Sequence, residues 1–250
     1  MWHVFSKIVK RINAVGMGLV SLFFPPHCYL CREEVEQLNA ICDNCRNNLP
    51  RISGPICTVC GQPLSDQSVD LCHSCGIRRH HFDRVRALGI YRDGWQRLIQ
   101  GLKFEGEKAI AKELSALMAD YLKHEDPFGI VDTFSYVPLD RRRHRQRGFN
   151  QSQLLANRLS CAFAVPVEDG LRKIRATQPQ TGLSHQLRRE NLRNAFTCIP
   201  SIANGRTTIL IDDVYTTGTT VEECAQALKK AGYERVFVLT VARTQYDQTK

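Results

Sequence analysis

The sequence predicts an α/β fold, a parallel sheet flanked by helices, preceded by a small cysteine-rich module. Three observations predict it. The stretch Thr208–Thr220, TILIDDVYTTGTT, runs from a short apolar segment through an acidic pair and a small polar loop into a helical pattern, the strand, loop and helix order of a parallel-sheet unit. From Val85 onward, segments with the two-residue period of strands alternate with segments of helical period. Before residue 76, by contrast, eight of the eleven cysteines stand in four CxxC pairs, and that spacing belongs to metal ligation more than to a disulfide framework.

Length and composition set the frame. A chain of 250 residues can bury one good-sized core beside a small module, and 43% apolar with 24% charged residues excludes both disorder and a membrane class. Eight thiolate charges offset by two Zn²⁺ dications would lower the formal charge of +9 to +5, a balance compatible with phosphate-rich ligands but too small to indicate nucleic acid by itself.

Residues 1–27 come first, with Lys7, Lys10 and Arg11 ahead of an apolar run through Leu19, Val20, Leu22, Phe23 and Phe24 that ends at Pro25 and Pro26. The outline is that of an export signal, but no small-residue cleavage site precedes the cysteines, and free thiols would be oxidised outside the cell. The expectation is an amphipathic helix packed on the protein, with a peripheral helix on the inner face of the membrane as the alternative. Metal-bound thiolates place the chain in a reducing compartment, the cytoplasm.

The cysteine module is expected over residues 28–80. Its pairs, Cys28/Cys31, Cys42/Cys45, Cys57/Cys60 and Cys72/Cys75, recur at nearly constant intervals. Two residues between cysteines make a tight knuckle that aims both sulfurs at one ion. A short polar segment of this kind folds on the binding energy of its metal. Two structural zinc ions follow, held either sequentially (Cys28, Cys31, Cys42 and Cys45; Cys57, Cys60, Cys72 and Cys75) or in interleaved pairs. Four thiolates close the coordination sphere, which leaves no position for catalysis.

Past His80 the texture changes, and residues 81–250 are expected to form the sheet domain. Val85–Tyr91 alternates like a strand, Gly94–Leu102 and Lys108–Leu122 read as helices, and Val131–Leu139 is a strand that Pro138 interrupts. The run Asp140–Gln151, DRRRHRQRGFNQ, then places five arginines and one histidine against one acid. Such runs are often solvated faces or general nucleic-acid contacts. After the carboxyl end of a strand, however, this one would border the crevice where open α/β sheets bind ligands, and guanidinium groups grip diphosphate in a bidentate way. Phe149 and Asn150 introduce a helix through Leu154, Leu155 and Leu159. The basic segment Arg172–Arg193 carries loop chemistry at Thr177–Gly182; it reads either as a polar loop that closes over a ligand or as a surface excursion.

The Thr208–Thr220 stretch carries the densest signal. Ile209, Leu210 and Ile211 make a strand buried on both faces, ended by Asp212 and Asp213. Thr216, Thr217, Thr219 and Thr220 supply hydroxyl donors, and Gly218 permits close backbone approach, at the start of a helix whose apolar face is Val221, Cys224, Ala225 and Leu228. A helix N-terminus favours an anion, yet two carboxylates would repel one. A phosphorylated sugar reconciles them: its hydroxyls donate to the acids while its phosphate lies in the threonine loop.

This motif resembles the phosphoribosyl pyrophosphate (PRPP) binding motif of type I phosphoribosyltransferases. The resemblance implies that Asp212 and Asp213 hold the ribose hydroxyls, that Thr216–Thr220 wrap the 5-phosphate, and that Mg²⁺ accompanies PRPP. It is specific for fold and ligand and less so for activity, since members that only sense PRPP carry it too. Over residues 22–243 the chain also resembles the ComF family of competence and DNA utilization proteins, through LFFPPHCYLC, CTVCGQPL, LKFEGEKAIAKEL, VPLDRRRHRQRGFNQSQLLA and TQPQTGLSHQLRRENLRNAF. That resemblance implies a role in natural transformation or DNA use, with a helicase-like partner in some systems. Two functions then compete. One is transfer of ribose 5-phosphate from PRPP to an acceptor, with Arg145 or Arg147 assisting departure of pyrophosphate beside Asp212 and Asp213. The other keeps PRPP, ribose 5-phosphate or a nucleotide as a ligand only and uses the arginines to hold single-stranded DNA or a protein.

Overall fold

The computed structural model describes residues 26–36, 39–105, 108–175, 191–199 and 203–245. Of the helix expected over residues 1–27, all but Pro26 and His27 lies outside them, as does the loop chemistry of Thr177–Gly182; Pro26 and His27 are not helical, and His27 forms a bridge with Glu34. Four parallel strands, β1 (Arg84–Ile90), β2 (Thr133–Tyr136), β5 (Thr207–Tyr215) and β6 (Arg235–Arg243), form one sheet in the order β1-β6-β5-β2. Between β2 and β5 in sequence, β3 (Leu171–Lys173) and β4 (Phe196–Cys198) pair antiparallel as a separate ribbon. Parallel neighbours need crossover connections. Here α3 (Asp93–Gln100), a π-helical turn over Gly101–Glu105 and α4 (Lys108–Glu125) lead from β1 to β2, and α7 (Thr219–Lys230) joins β5 to β6.

The two central strands explain the core. Ile209, Leu210 and Ile211 on β5 and Val236 to Ala242 on β6 are buried, and Leu210, Val236 and Val238 pack with Val221, Cys224 and Leu228 of α7. Burying each such aliphatic side chain contributes about 1.5–3 kcal/mol. Strand β6, which sequence reasoning had not singled out, sits between β1 and β5. Both outer strands are covered along their free edges. Beside β1, the Val85 N–H donates to the Val59 carbonyl at 2.7 Å and the Ile52 N–H to the Leu88 carbonyl at 3.0 Å. Beside β2, the Phe134 N–H donates to the Pro166 carbonyl and the Glu168 N–H to the Phe134 carbonyl, each at 2.8 Å.

The helices follow the local code. Asp140 caps α5 (Arg141–Arg147) by accepting from the Arg143 N–H at 2.9 Å, and Gly148 ends it in the left-handed region. Asn150 caps α6 (Gln151–Phe163), its side chain accepting from the Ser152 and Gln153 N–H groups. The arginine run is therefore helical, and α6 starts where Phe149 and Asn150 suggest.

The chain divides into two compact units, Met1–Leu49 and Pro50–Lys250. The first holds Cys28, Cys31, Cys42 and Cys45 with the short helix α1 (Asp43–Asn47). The second holds Cys57, Cys60, Cys72 and Cys75, with α2 (His73–Ile77), together with the sheet. Gly61 has a positive φ of 68°, and a Cβ there would meet the Val85 carbonyl oxygen at 2.8 Å. Only glycine lets this knuckle lie so close to β1. No helix among the described residues is long and apolar enough to cross a membrane.

Candidate functional site

All eleven cysteines are free thiols. Eight of them assemble into two sets, Cys28, Cys31, Cys42 and Cys45, and Cys57, Cys60, Cys72 and Cys75, with the sulfurs of each set within 4.8 Å of one another. The pairing is thus sequential. Cys31 and Cys42 Sγ are 3.6 Å apart, as are Cys60 and Cys72 Sγ; a tetrahedral ion with Zn–S bonds of about 2.3 Å needs sulfurs about 3.8 Å apart. The donor set fits zinc, and backbone N–H groups of Cys31 and Cys45 point at Cys28 and Cys42 Sγ at 3.5 and 3.4 Å.

The acidic pair lies within β5, not after it. Pairing to β6 continues past the acids, from Asp212 opposite Thr240 to Tyr215 opposite Arg243. Asp212 Oδ1 accepts from Ser152 Oγ at 3.0 Å and from the Asp213 N–H at 2.9 Å. Asp213 is buried, ion-paired with Lys103 Nζ at 2.7 Å, and accepts from Gln151 Nε2 at 2.6 Å. Burial, and then the neighbouring Asp213 carboxylate, push the Asp212 carboxyl up to about 7, against smaller opposing effects of the Asp213 N–H, Lys103 and Ser152. The threonine loop follows at once. Gly218 caps α7 with φ 75°, and a Cβ there would run into the Tyr215 hydroxyl. Thr217 and Thr219 hydroxyls lie 2.9 Å apart, Thr219 is buried, and Thr216, Thr217 and Thr220 are half-buried. The first turn of α7 leaves N–H groups without intrahelical partners.

Three residues join this site that sequence reasoning missed: Lys103, Gln151 and Ser152. Gln151 and Ser152 open α6 directly after the arginine run, so the Asn150 cap was a signal for their placement. Lys103 lies in the segment LKFEGEKAIAKEL, which carried a resemblance but no sign of this placement; the π-helical turn delivers it, and such turns recur at functional sites.

The two arginines of interest do not converge. Arg147 Nη1 donates to Gln151 Oε1 at 3.0 Å and its guanidinium lies 5.3 Å from the centroid of the exposed Phe104 ring, which places it beside the acids. Arg145 instead lines an open groove with Tyr136, Arg142, His144, Arg172 and Lys173. Two positions along a helix are about 200° apart, which accounts for the divergence.

A raised carboxyl makes stability pH-dependent. Asp212 keeps its proton to about pH 7 when folded against an ordinary value of 3.8, so its stabilising effect is full below about pH 4 and is lost as pH rises through 7. Asp212→Asn removes that loss. It is expected to raise the melting temperature by about 2–8 °C at pH 8, for about 1–2 kcal/mol, and to leave it nearly unchanged at pH 4. A thermal melt at both values checks this; equal shifts would mean that Asp212 titrates normally.

Comparison with known proteins places these features in context. Residues 19–76 match the double zinc ribbon domain and residues 147–249 the phosphoribosyl transferase domain. The chain is 35% identical over 228 residues to the DNA utilization protein YhgH of Escherichia coli O157:H7, covering 89% of this chain and 99% of that protein. It is 32% identical over 230 residues to competence protein F of Haemophilus influenzae, covering 88% and 98%. Among solved structures, a glutamine PRPP amidotransferase from B. subtilis aligns at 23% identity and a TM-score of 0.36, over 52% of this chain and 25% of that chain.

Proposed function

Because the chain belongs to the ComF family of competence and DNA utilization proteins, we propose that its phosphoribosyltransferase domain binds PRPP together with Mg²⁺ and acts in the uptake or use of DNA. The observation that carries this reading is the acidic pair of β5 set directly against the threonine loop at the start of α7. The ribose hydroxyls donate to Asp212 and Asp213. Lys103, already at 2.7 Å from Asp213, offsets the repulsion between those acids and the phosphates. Hydroxyls of Thr216, Thr217, Thr219 and Thr220 and the N–H groups around Gly218 receive the 5-phosphate, aided by the helix dipole. When bound, Mg²⁺ supplies charge neutralisation of the pyrophosphate. Arg147, beside the acids through Gln151, is placed to add a charge-assisted contact to the same group. Release of pyrophosphate from PRPP, measured against a panel of nucleobase acceptors, tests whether binding leads to transfer.

The divergence of the arginines favours a second role beside the first. The groove holding Arg142, Arg145, Arg172 and Lys173 suits an extended polyanion such as single-stranded DNA. Arg147→Ala is expected to weaken PRPP by about ten- to a hundredfold, the loss of about 1.5–3 kcal/mol for a charge-assisted contact, and ribose 5-phosphate far less. Arg145→Ala should leave both sugar phosphates alone and weaken single-stranded DNA, with a salt slope shallower by about 0.7. Calorimetry with the sugar phosphates and a salt titration of DNA binding separate the two. Identical behaviour of both variants toward all three ligands would remove the division of labour.

A further inference from the structure

We propose that the second cysteine site is a working part of the phosphate site, with His80 and Arg243 as the positioning residues that connect them. The proposal rests on the reading that the threonine loop takes a phosphate. Two separate chains of contact leave the second cysteine set and end on the same short stretch, Tyr215–Glu222.

The first chain runs through an imidazole. His80 Nε2 is 3.6 Å from Cys75 Sγ, and its Nδ1 is 3.0 Å from Glu222 Oε2. Glu222 stands in the first turn of α7 and is buried. Its other oxygen meets His81 twice, accepting from the backbone N–H at 3.2 Å and facing Nδ1 at 2.8 Å, and the Arg78 guanidinium is 3.7 Å away. All three basic groups come from the segment directly after Cys75. A carboxylate in the first turn of a helix competes with an incoming phosphate for the same positive end. Held by Arg78, His80 and His81, it is drawn toward the ribbon and its charge is compensated.

The second chain runs through a buried guanidinium. Arg243, at the end of β6, is 2% exposed. It donates to the Cys60 carbonyl and to Gln62 Oε1 within the ribbon, and its guanidinium lies 5.2 Å from the centroid of the Tyr215 ring. The hydroxyl of Tyr215 fills the space a Cβ at Gly218 would need. Ribbon, arginine, tyrosine and loop glycine are thus packed in series. A ribbon that served only its own fold would need neither chain, since its four thiolates and its metal suffice for that.

The consequence is reciprocal. If the second metal site holds the loop in its phosphate-binding shape, a phosphate in the loop must hold the metal site by the same free energy. The test uses the full chain loaded with two zinc ions. Zinc release to a chelating dye is followed with and without saturating ribose 5-phosphate, whose binding is measured independently by calorimetry. In the wild type the sugar phosphate is expected to slow release of one of the two ions by at least about fivefold, the lower end of ordinary coupling. His80→Ala should keep both ions and lose that protection. Glu222→Gln changes the helix end of the contact, at a residue whose partners are His80, His81 and Arg78 and not a cysteine, and is expected to speed release of the same ion, a readout on the far side of the contact. Amide exchange over residues 216–224 needs no ligand, and should rise at least about fivefold in His80→Ala. If exchange and zinc release are unchanged in both variants, the coupling is overturned, whether or not ribose 5-phosphate binds. If ribose 5-phosphate fails to bind the wild type while exchange rises as expected, the contact chain stands and the phosphosugar reading falls.

Discussion

Cys72→Ser is expected to damage much more than the ribbon that contains it. Loss of a structural zinc removes about 10–16 kcal/mol of binding energy from the segment that holds it, as much as the whole stability of an ordinary domain, about 5–15 kcal/mol. Residues 57–75 would therefore unfold. They do not unfold alone, because Arg243 is buried against the Cys60 carbonyl and Gln62, and the Val85 N–H of β1 donates to the Val59 carbonyl. A buried charge stripped of its partners costs about 3–5 kcal/mol, which in a unit of this size corresponds to a fall of about 6–20 °C in melting temperature. The comparison is Cys42→Ser, in the other compact unit, which should also lose one zinc but leave the main melting transition within about 2 °C. Metal analysis and circular dichroism melts decide it; equal falls in the two variants would contradict the division.

The double variant Asp212→Asn with Asp213→Asn should keep its fold and lose PRPP. Asparagine preserves the shape and the carbonyl oxygen that accepts from Ser152 and from the Asp213 N–H. At pH 8, above the raised value of Asp212, what disappears is the charge that makes each ribose hydroxyl contact strong. Two charge-assisted hydrogen bonds at about 1.5–3 kcal/mol each correspond to a loss of roughly 10²- to 10⁴-fold in affinity. Calorimetry with Mg²⁺ and PRPP measures it, with a melt to establish folding. A folded variant that binds PRPP as the wild type does would place the ligand elsewhere.

The parts of the molecule written in local sequence were legible, and those written in long-range contact were not. Four CxxC pairs announce two metal sites because ligand spacing is a property of a single turn. The Ile209–Leu228 stretch announces strand, loop and helix because each residue's role there depends on its neighbours. Even so, the strand was expected to end with the pair Asp212 and Asp213, whereas pairing with β6 carries it to Tyr215, since tertiary pairing overrides the turn-like look of an acidic pair. Lys103 sits more than a hundred residues before Asp213, on a helical turn whose widening leaves no mark in composition. His80 marked only a change of texture in the sequence, and Arg243 was not singled out at all. Their role exists only once the sheet brings the end of β6 and the start of α7 to the second ribbon.

The covering of both sheet edges bears on how this protein can associate. A bare outer strand is a template: another chain can add to it by backbone hydrogen bonds alone, with little regard to side chains. Here the segment around Ile52 occupies the ladder positions beside β1, and residues 166–168 occupy those beside β2. Neither a second copy nor a peptide can extend the sheet without displacing chain that is already hydrogen-bonded. Recognition of any macromolecular partner by these strands must then be written in side chains, on faces and grooves, where a single substitution can tune it.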